Sequence, residues 1–363
     1  MRMQTTAIQE LQRQKMLLQM EYYTEKEAFR KQTEAMGLLR KVKRGDAWFP
    51  LSVGRSYYNS MNQMALEVRR TADQDIEHNF EFGRPAIFFT LQKVNGEAKE
   101  RLHYFNFSCV VSYVDGDNMV VILPDAGRVI DLQHAQGQVG VQLFFDETSY
   151  KCMFDALDRV INAKGNRLAY LRDLFYSGQQ AQRFSFDSQR FPWLNPTQER
   201  AVNEVLWAKD VAVVHGPPGT GKTTTLVEAI NETLMKESQV LVCAQSNMAL
   251  DWISEQLVDR GINVLRIGNP TRVNEMLGFT YERRFESHPD YPQLWAIRKA
   301  IRELRSHRKR GDERFHQKFE HLKARATELE IRINSALFDE ARVVASTLVG
   351  SANRVLEGMK FGT

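Results

Sequence analysis

At 363 residues, with Lys plus Arg at 49 against Asp plus Glu at 45, the chain exceeds what one core needs and is only mildly basic. Hydrophobic residues at 43% and charged ones at 26% exclude a disordered protein, and a net charge of +4 allows a nucleic-acid partner without demanding one. Three scattered cysteines, Cys109, Cys152 and Cys243, argue against a disulfide framework or a zinc site. No apolar run approaches the ~20 residues of a membrane span. Gln4, Gln9 and Glu10 interrupt the N-terminus, which therefore lacks a signal-peptide core. The expectation is a soluble, cytoplasmic, multidomain protein with no membrane partner.

Residues 1–44 contain no Pro and only Gly37, and their Gln, Glu, Lys, Leu and Met content predicts a long polar helix. Residues 45–148 change texture. Short β-rich runs (Ala86 to Leu91, Tyr104 to Val114, Met119 to Leu123) alternate with turn signals at Asn95-Gly96, Asp115-Gly116 and Asp125-Ala-Gly127, which predicts a small antiparallel β-barrel or sandwich. A second helix is expected over 149–178; with the first it would form a two-helix stalk. Residues 179–193 read as a polar linker. From 194 to 363, helices alternate with the apolar runs Val211 to Val214, Val240 to Cys243, Val264 to Ile267 and Val343 to Ala345, the pattern of a parallel α/β sheet. A charged helical hairpin, about 282–342 with a turn at Gly311-Asp312, is inserted in it. Between Ile297 and Arg325 there are eleven Lys or Arg and four Asp or Glu, so the basic character is concentrated there and in the first helix. Both segments are expected to be the freest to touch phosphates. Tyr57, Tyr58, Phe105 and Phe107 are assigned mainly to core.

The sharpest motif is Gly216-Pro217-Pro218-Gly219-Thr220-Gly221-Lys222-Thr223, followed by Thr224 and set between an apolar run and a helical one. Glycines let successive amides converge on a phosphate chain. Lys222 supplies charge to the β- and γ-phosphates, Thr223 offers a hydroxyl to Mg²⁺, and the following helix adds its positive end. Upstream, the Gln198 carboxamide can both donate to and accept from an adenine edge, although Asn195 or Thr197 makes the same stretch an ordinary capped helix start. Downstream, Ser246 and Asn247 lie where strand becomes helix, a position that simple capping also explains.

In this order, Leu194-Asn-Pro-Thr-Gln198, His215-Gly-Pro-Pro-Gly-Thr-Gly-Lys-Thr223 and Val240-Leu-Val-Cys-Ala-Gln-Ser-Asn-Met-Ala-Leu-Asp251 resemble the superfamily-one helicases of the B branch. The likeness is to the group containing the nonsense-mediated-decay RNA helicase and the immunoglobulin-mu-binding-protein helicase. Val343-Val-Ala-Ser-Thr-Leu-Val-Gly350 is similar to a further motif of that family. The resemblance implies a P-loop NTPase (RecA-like) lobe with an N-terminal β-barrel on a two-helix stalk and an inserted helical hairpin. It also implies ATP-driven action on single-stranded RNA or DNA, 5′ to 3′, with ATP and Mg²⁺ as cofactors. Gln198 would hold adenine, Gly216 to Thr224 the phosphates and Thr223 the Mg²⁺. Lys222 would be catalytic, and Ser246, Asn247 and Thr347 would follow the strand. Gln245 stands where the family usually has Pro.

Hydrolysis in such enzymes needs an acidic pair at the end of a later strand. Asp146-Glu147 precedes the phosphate loop, and Asp339-Glu340 reads as a helix end, so neither fits. The chain is expected to represent the front part of a helicase, binding ATP but hydrolysing it weakly without the acid and a second motor lobe. Two alternatives are a non-catalytic nucleotide- and nucleic-acid-binding module and an unrelated P-loop NTPase.

Overall fold

The computed structural model describes residues 6–93, 100–268, 276–307 and 313–363. Thr6 opens helix α1 (Ala7–Ala35) with a capping box closed by Gln9. The single helix expected through residue 44 breaks at Met36, whose backbone is extended, and restarts after Gly37 as α2 (Leu38–Lys43). Glycine is a poor helix former, and burial of Lys41 and Val42 turns the chain into the sheet that follows.

Seven strands form one antiparallel sheet: β1 (Ala47–Trp48), β2 (Leu51–Tyr58), β3 (Met64–Arg70), β4 (Pro85–Lys93), β5 (Glu100–Asp115), β6 (Asn118–Leu123) and β7 (Gln138–Leu143), with a short helix α3 (Gly127–Gln133) before the last. The order is β1-β7-β4-β5-β6-β3-β2. β1 and β2 adjoin in sequence yet pair at opposite edges, β1 with β7 and β2 with β3, so the sheet curls back on itself. Its interior holds Trp48, Leu66, Phe88, Phe107, Val111, Val121 and Val141, with Tyr58 and Phe105 packed against them. Along β6 the buried residues are Met119, Val121 and Leu123, the period of two that a half-buried strand requires. The turn signal at Asn95-Gly96 lies outside the described residues.

The second long helix is also two pieces, α4 (Glu147–Asn162) and α5 (Arg167–Phe175). Gly165, in left-handed backbone, and the Asn166 cap end one and begin the other. Arg172 then donates to the carbonyls of Val160, Ile161 and Ala163, closing the free end of α4. Helix α1 runs along α4, joined by Tyr22 against Phe145, Tyr150 and Phe154, by a Lys15–Asp158 ion pair of 2.6 Å, and by a Lys26–Glu147 pair. Residues 179–193 have little regular structure but are not loose. Asn203 bonds both the amide and the carbonyl of Gln189, and Glu199 accepts from the Phe191 amide.

The C-terminal half contains α6 (Pro196–Trp207), α7 (Lys222–Thr233), β8 (Val240–Ala244), α8 (Asn247–Asp259), β9 (Val264–Arg266), α9 (Tyr281–Ser287), α10 (Tyr291–Ser306), α11 (Glu313–Glu340) and β10 (Val343–Thr347). Its sheet is parallel, in the order β8-β10-β9. Central β10 sends Val343 and Ala345 into a core built with α7 and α8, and Val344 into another built with α9, α10 and α11. Burial on both faces explains why such strands read as unbroken apolar runs.

Val211 to Val214 is a correction to the sequence reading: it forms no strand, and Val213 is 81% exposed. Apolar residues make a strand only where a neighbour completes the ladder. β8 pairs with β10 on one side, and on the other its Leu241 amide donates to the carbonyl of Thr363. No strand among the described residues pairs with 211–214.

In the basic inserted segment, two of the cations depart from the sequence reading. Helices α10 and α11 pack antiparallel, through Arg298–Glu330, Arg332–Asp290 and Arg305 over the Phe319 ring. Two cations of α10 expected to be free, Arg298 and Arg302, are instead turned toward the antiparallel sheet, while Lys299 lies over the Trp295 ring of its own helix. Arg298, buried, donates to the Ser60 carbonyl at 2.5 Å. Arg302 reaches Asn62 Oδ1 at 2.7 Å and lies 4.1 Å over the Tyr58 ring. These contacts fasten the β2–β3 turn to the lobe, with Met61, partly buried, packed against the lobe's core. The expected turn at Gly311-Asp312 lies outside the described residues.

Candidate nucleotide site and nucleic-acid face

The phosphate loop runs from Gly216 into the first turn of α7. Gly219 and Gly221 both have φ near +79°, backbone that only glycine adopts freely. Gly221 is also the N-cap of α7, and no side chain caps that helix. The first amides of α7 thus face the loop with no side-chain partner, and the helix adds its positive end to them. A Cβ on Gly221 would collide with Nε2 of Gln198, so the same glycine serves the backbone turn and the close approach of α6.

Lys222 bends back across this cradle. Its Nζ donates to the carbonyls of Gly216 at 2.5 Å and Pro217 at 2.7 Å. Both partners are neutral and belong to the loop, so an incoming phosphate would exchange weak acceptors for strong ones. Thr220 donates to the Pro217 carbonyl and Thr225, buried, to that of Gly221, so these two hydroxyls brace the loop. The Thr223 hydroxyl has no partner among the described residues, and Thr224 is exposed. Pro217 and Pro218 are exposed at the outer rim.

Gln198 lies beside the loop but is already employed. Its Oε1 accepts from the Asn195 amide at 3.1 Å, while Asn195 Oδ1 accepts from the amides of Thr197 and Gln198, a full capping box. Its Nε2 points at the Thr220 carbonyl, 3.4 Å away. The capping role and the position next to the loop therefore coexist. One lone pair and one N–H of the carboxamide are left for a base.

Ser246 and Thr347 end adjacent strands. Thr347 pairs in register with Ala244, and Ser246 follows two residues later. Ser246 Oγ caps α8 by accepting from the Ala249 amide, and Thr347 Oγ1 accepts from the Gly350 amide. Asn247 opens α8, half-buried, its Oδ1 taken by Arg266. All three lie at the C-terminal ends of parallel strands, where open α/β sheets place ligands.

Both Asp-Glu pairs lie where the sequence reading put them. Asp146 caps α4, Glu147 pairs with Lys26, and Asp339 and Glu340 finish α11. Three supporting charges went unread. Asp210, just before residues 211–215, accepts from the Gln182 amide and the Tyr170 hydroxyl, both at 2.8 Å, and pairs with Arg167 at 2.7 Å. Glu228, buried in α7, joins Arg260 and the Trp193 indole. Arg266 sits wholly buried in β9 beside Asp251. The signal for the last was visible: a charge inside an apolar strand demands a partner. No helix of the described residues is long and apolar enough to cross a membrane.

A family model described as an AAA domain matches residues 193–363. Over 176 residues the chain is 32% identical to an uncharacterised ATP-dependent helicase of Methanocaldococcus jannaschii, covering 47% of this chain and 26% of that protein. It is 36% identical over 166 residues to DNA-binding protein SMUBP-2 of Mesocricetus auratus, 44% of this chain and 17% of the relative. It is 33% identical over 176 residues to the regulator of nonsense transcripts 1 homolog of Arabidopsis thaliana, 47% and 13%. Residues 193–363 thus match an AAA domain, and the relatives include an ATP-dependent helicase and a DNA-binding protein. The matched stretch spans about a quarter or less of each of those relatives.

Proposed function

We propose that the chain is the ATP-binding front part of a cytoplasmic helicase or translocase that moves 5′ to 3′ on single-stranded RNA or DNA. The observation that carries this is the uncapped, glycine-turned N-terminus of α7, with Lys222 held only by its own loop, next to a parallel-sheet edge bearing Ser246, Asn247 and Thr347. ATP would place its phosphates on the amides of Gly216 to Thr224 and exchange the two carbonyl bonds of Lys222 for bonds to phosphate oxygens. Thr223 would supply one oxygen to Mg²⁺, which neutralises phosphate charge when bound. Gln198 would take the adenine edge while keeping its cap bond. The curled antiparallel sheet is the accessory β-barrel, α1 with α4 and α5 its stalk, and α10–α11 the inserted hairpin that fastens barrel to lobe.

Turnover requires a carboxylate to align water and a second lobe to close over the γ-phosphate. The chain as given should therefore bind ATP and single-stranded nucleic acid but turn over slowly. ATPase measured with and without oligonucleotide, beside a Lys222→Ala control, tests this. ATP binding abolished in the control, with weak turnover in the parent, is the expected result. Robust nucleic-acid-stimulated turnover lost in the control would overturn the claim that a catalytic acid must come from elsewhere. Failure of the parent to bind ATP would overturn the reading altogether. Binding without any turnover, even with the second lobe supplied, would leave a nucleotide- and nucleic-acid-binding module.

A further inference from the structure

Arg266 is a fully buried charge in a short parallel strand, and its guanidinium makes three directed bonds. Nε donates to Asp251 Oδ1 at 2.7 Å, Nη1 to the Ile267 carbonyl at 3.2 Å and Nη2 to Asn247 Oδ1 at 3.1 Å. Asn247 and Asp251 are four residues apart on α8, hence on one face, and a single planar fork from β9 grips both. As a stabiliser alone this is an uneconomical device, since an apolar pair of similar volume packs as well as a buried ion pair. The bond to Asn247 is what an apolar pair could not provide.

A guanidinium carries donors only, so only the oxygen end of a carboxamide can face it. Asn247 is thereby fixed with Oδ1 inward, and its Nδ2 has no partner among the described residues. Around it the amides of Asn247 and Met248 precede the first intrahelical bond of α8, and the Met248 side chain is 69% exposed. Ser246 Oγ, by contrast, is occupied in capping. At this helix start Asn247 Nδ2 and the amides of Asn247 and Met248 are donors with no partner among the described residues.

We propose that Arg266 is a positioning residue for nucleic-acid binding: it locks the Asn247 carboxamide as an outward-facing donor, so that this sheet edge takes phosphodiester oxygens of a single strand whatever the base. The assignment rests on the reading of the α8 N-terminus as a strand-binding face. A free asparagine could turn either end outward and meet base donors as well as acceptors. A pinned one offers only N–H, which suits an anionic backbone.

The test uses the whole chain and a short fluorescein-labelled oligothymidylate, with affinity by anisotropy and melting followed separately. Asn247→Asp preserves shape and keeps an acceptor for Arg266, but presents an oxygen where the N–H stood. It should melt at or above the parent temperature while binding the oligonucleotide roughly tenfold or more weakly. Asp251→Leu combined with Arg266→Met removes the ion pair without orphaning either charge. It should stay folded and lose about threefold to tenfold in affinity, because the carboxamide is released. Arg266→Lys, which keeps the charge beside Asp251 but cannot fork to Asn247, should behave like the double variant. The side-chain amide resonance of Asn247 should shift on oligonucleotide addition in the parent and not in Asp251→Leu/Arg266→Met. Parent-like affinity in Asn247→Asp or in the double variant would overturn the proposal while leaving the functional reading intact. A parent that shows no salt-dependent binding would sink that reading, and this proposal with it.

Discussion

Lys222 and Arg298 are cations on helices of the same lobe, and their bonds differ in kind. Lys222 donates to two carbonyls of the loop it closes, so nothing outside that loop depends on its charge. Arg298 reaches from α10 to Glu330 on α11 and across to Ser60 of the antiparallel sheet. The first charge is satisfied weakly and locally, which is what a ligand-binding cation needs. The second is satisfied by partners far apart in sequence, which is what a structural tie needs. A count of Lys and Arg along the sequence cannot separate the two. Only the partners can, and they take Arg298 and Arg302 out of the cations of the inserted segment that are free to meet phosphate.

The largest expected effect follows directly. Lys222→Ala should lower ATP affinity roughly a hundredfold, the loss of about two charge-assisted bonds, with an unchanged melting temperature. Titration of a fluorescent ATP analogue beside a thermal melt measures both; a fall in stability would make Lys222 a structural residue like Arg298. Next, Arg298→Ala should cost about 2 kcal/mol of stability with ATP affinity unchanged. That is less than for a fully buried pair, because Glu330 is 41% exposed and rehydrates. Urea denaturation gives the number, and a parallel loss of ATP binding would mean that the sheet–lobe tie also shapes the phosphate loop.

How much of this was legible follows the same division between local and distant partners. The phosphate loop, β8, β10 and the ends of α7 and α11 depend on near neighbours in sequence, through glycine conformations, caps and apolar runs, and they stand close to where the sequence put them. The curled sheet was legible only in part: β4, β5 and β6 match the expected runs, but its closure did not follow from them. β2 mixes Ser52, Gly54, Arg55 and Ser56 with its apolar residues, and its closure with β1 around opposite edges is a long-range pairing. The breaks at Met36 and Gly165 were marked by glycines but overridden by overall helical composition. Val211 to Val214 is the converse case, a run with strand composition and no neighbouring strand.

Gly221→Ala should have a smaller effect, about 1 kcal/mol from left-handed backbone, with some further loss as Gln198 is pushed aside. Because Gln198 touches the loop, this variant should weaken ATP binding and the melt together. It is the one substitution expected to blur the contrast between Lys222 and Arg298. A change in melting alone would show that Gln198 moves without disturbing the cradle.

The smallest effect concerns Asp210, which anchors the start of the segment entering the phosphate loop. The Gln182 amide foremost, then the Tyr170 hydroxyl and Arg167, hold its carboxyl below the usual carboxylate range. A carboxyl whose folded pKa is depressed contributes stability that is fully present above its unfolded value and is lost as pH falls through the folded one. Melting temperatures of the parent and of Asp210→Asn should therefore differ at neutral pH, with the variant lower. The gap should close on acidification below the ordinary range near ~3.9. Tyr170→Phe should remove only part of it, since the amide bond is the leading cause. A gap that persists unchanged at low pH would mean that Asn fails for shape and not for charge. A loss of ATP affinity in Asp210→Asn at neutral pH would show that the loop is not self-contained after all, but inherits its geometry from the anchor behind it.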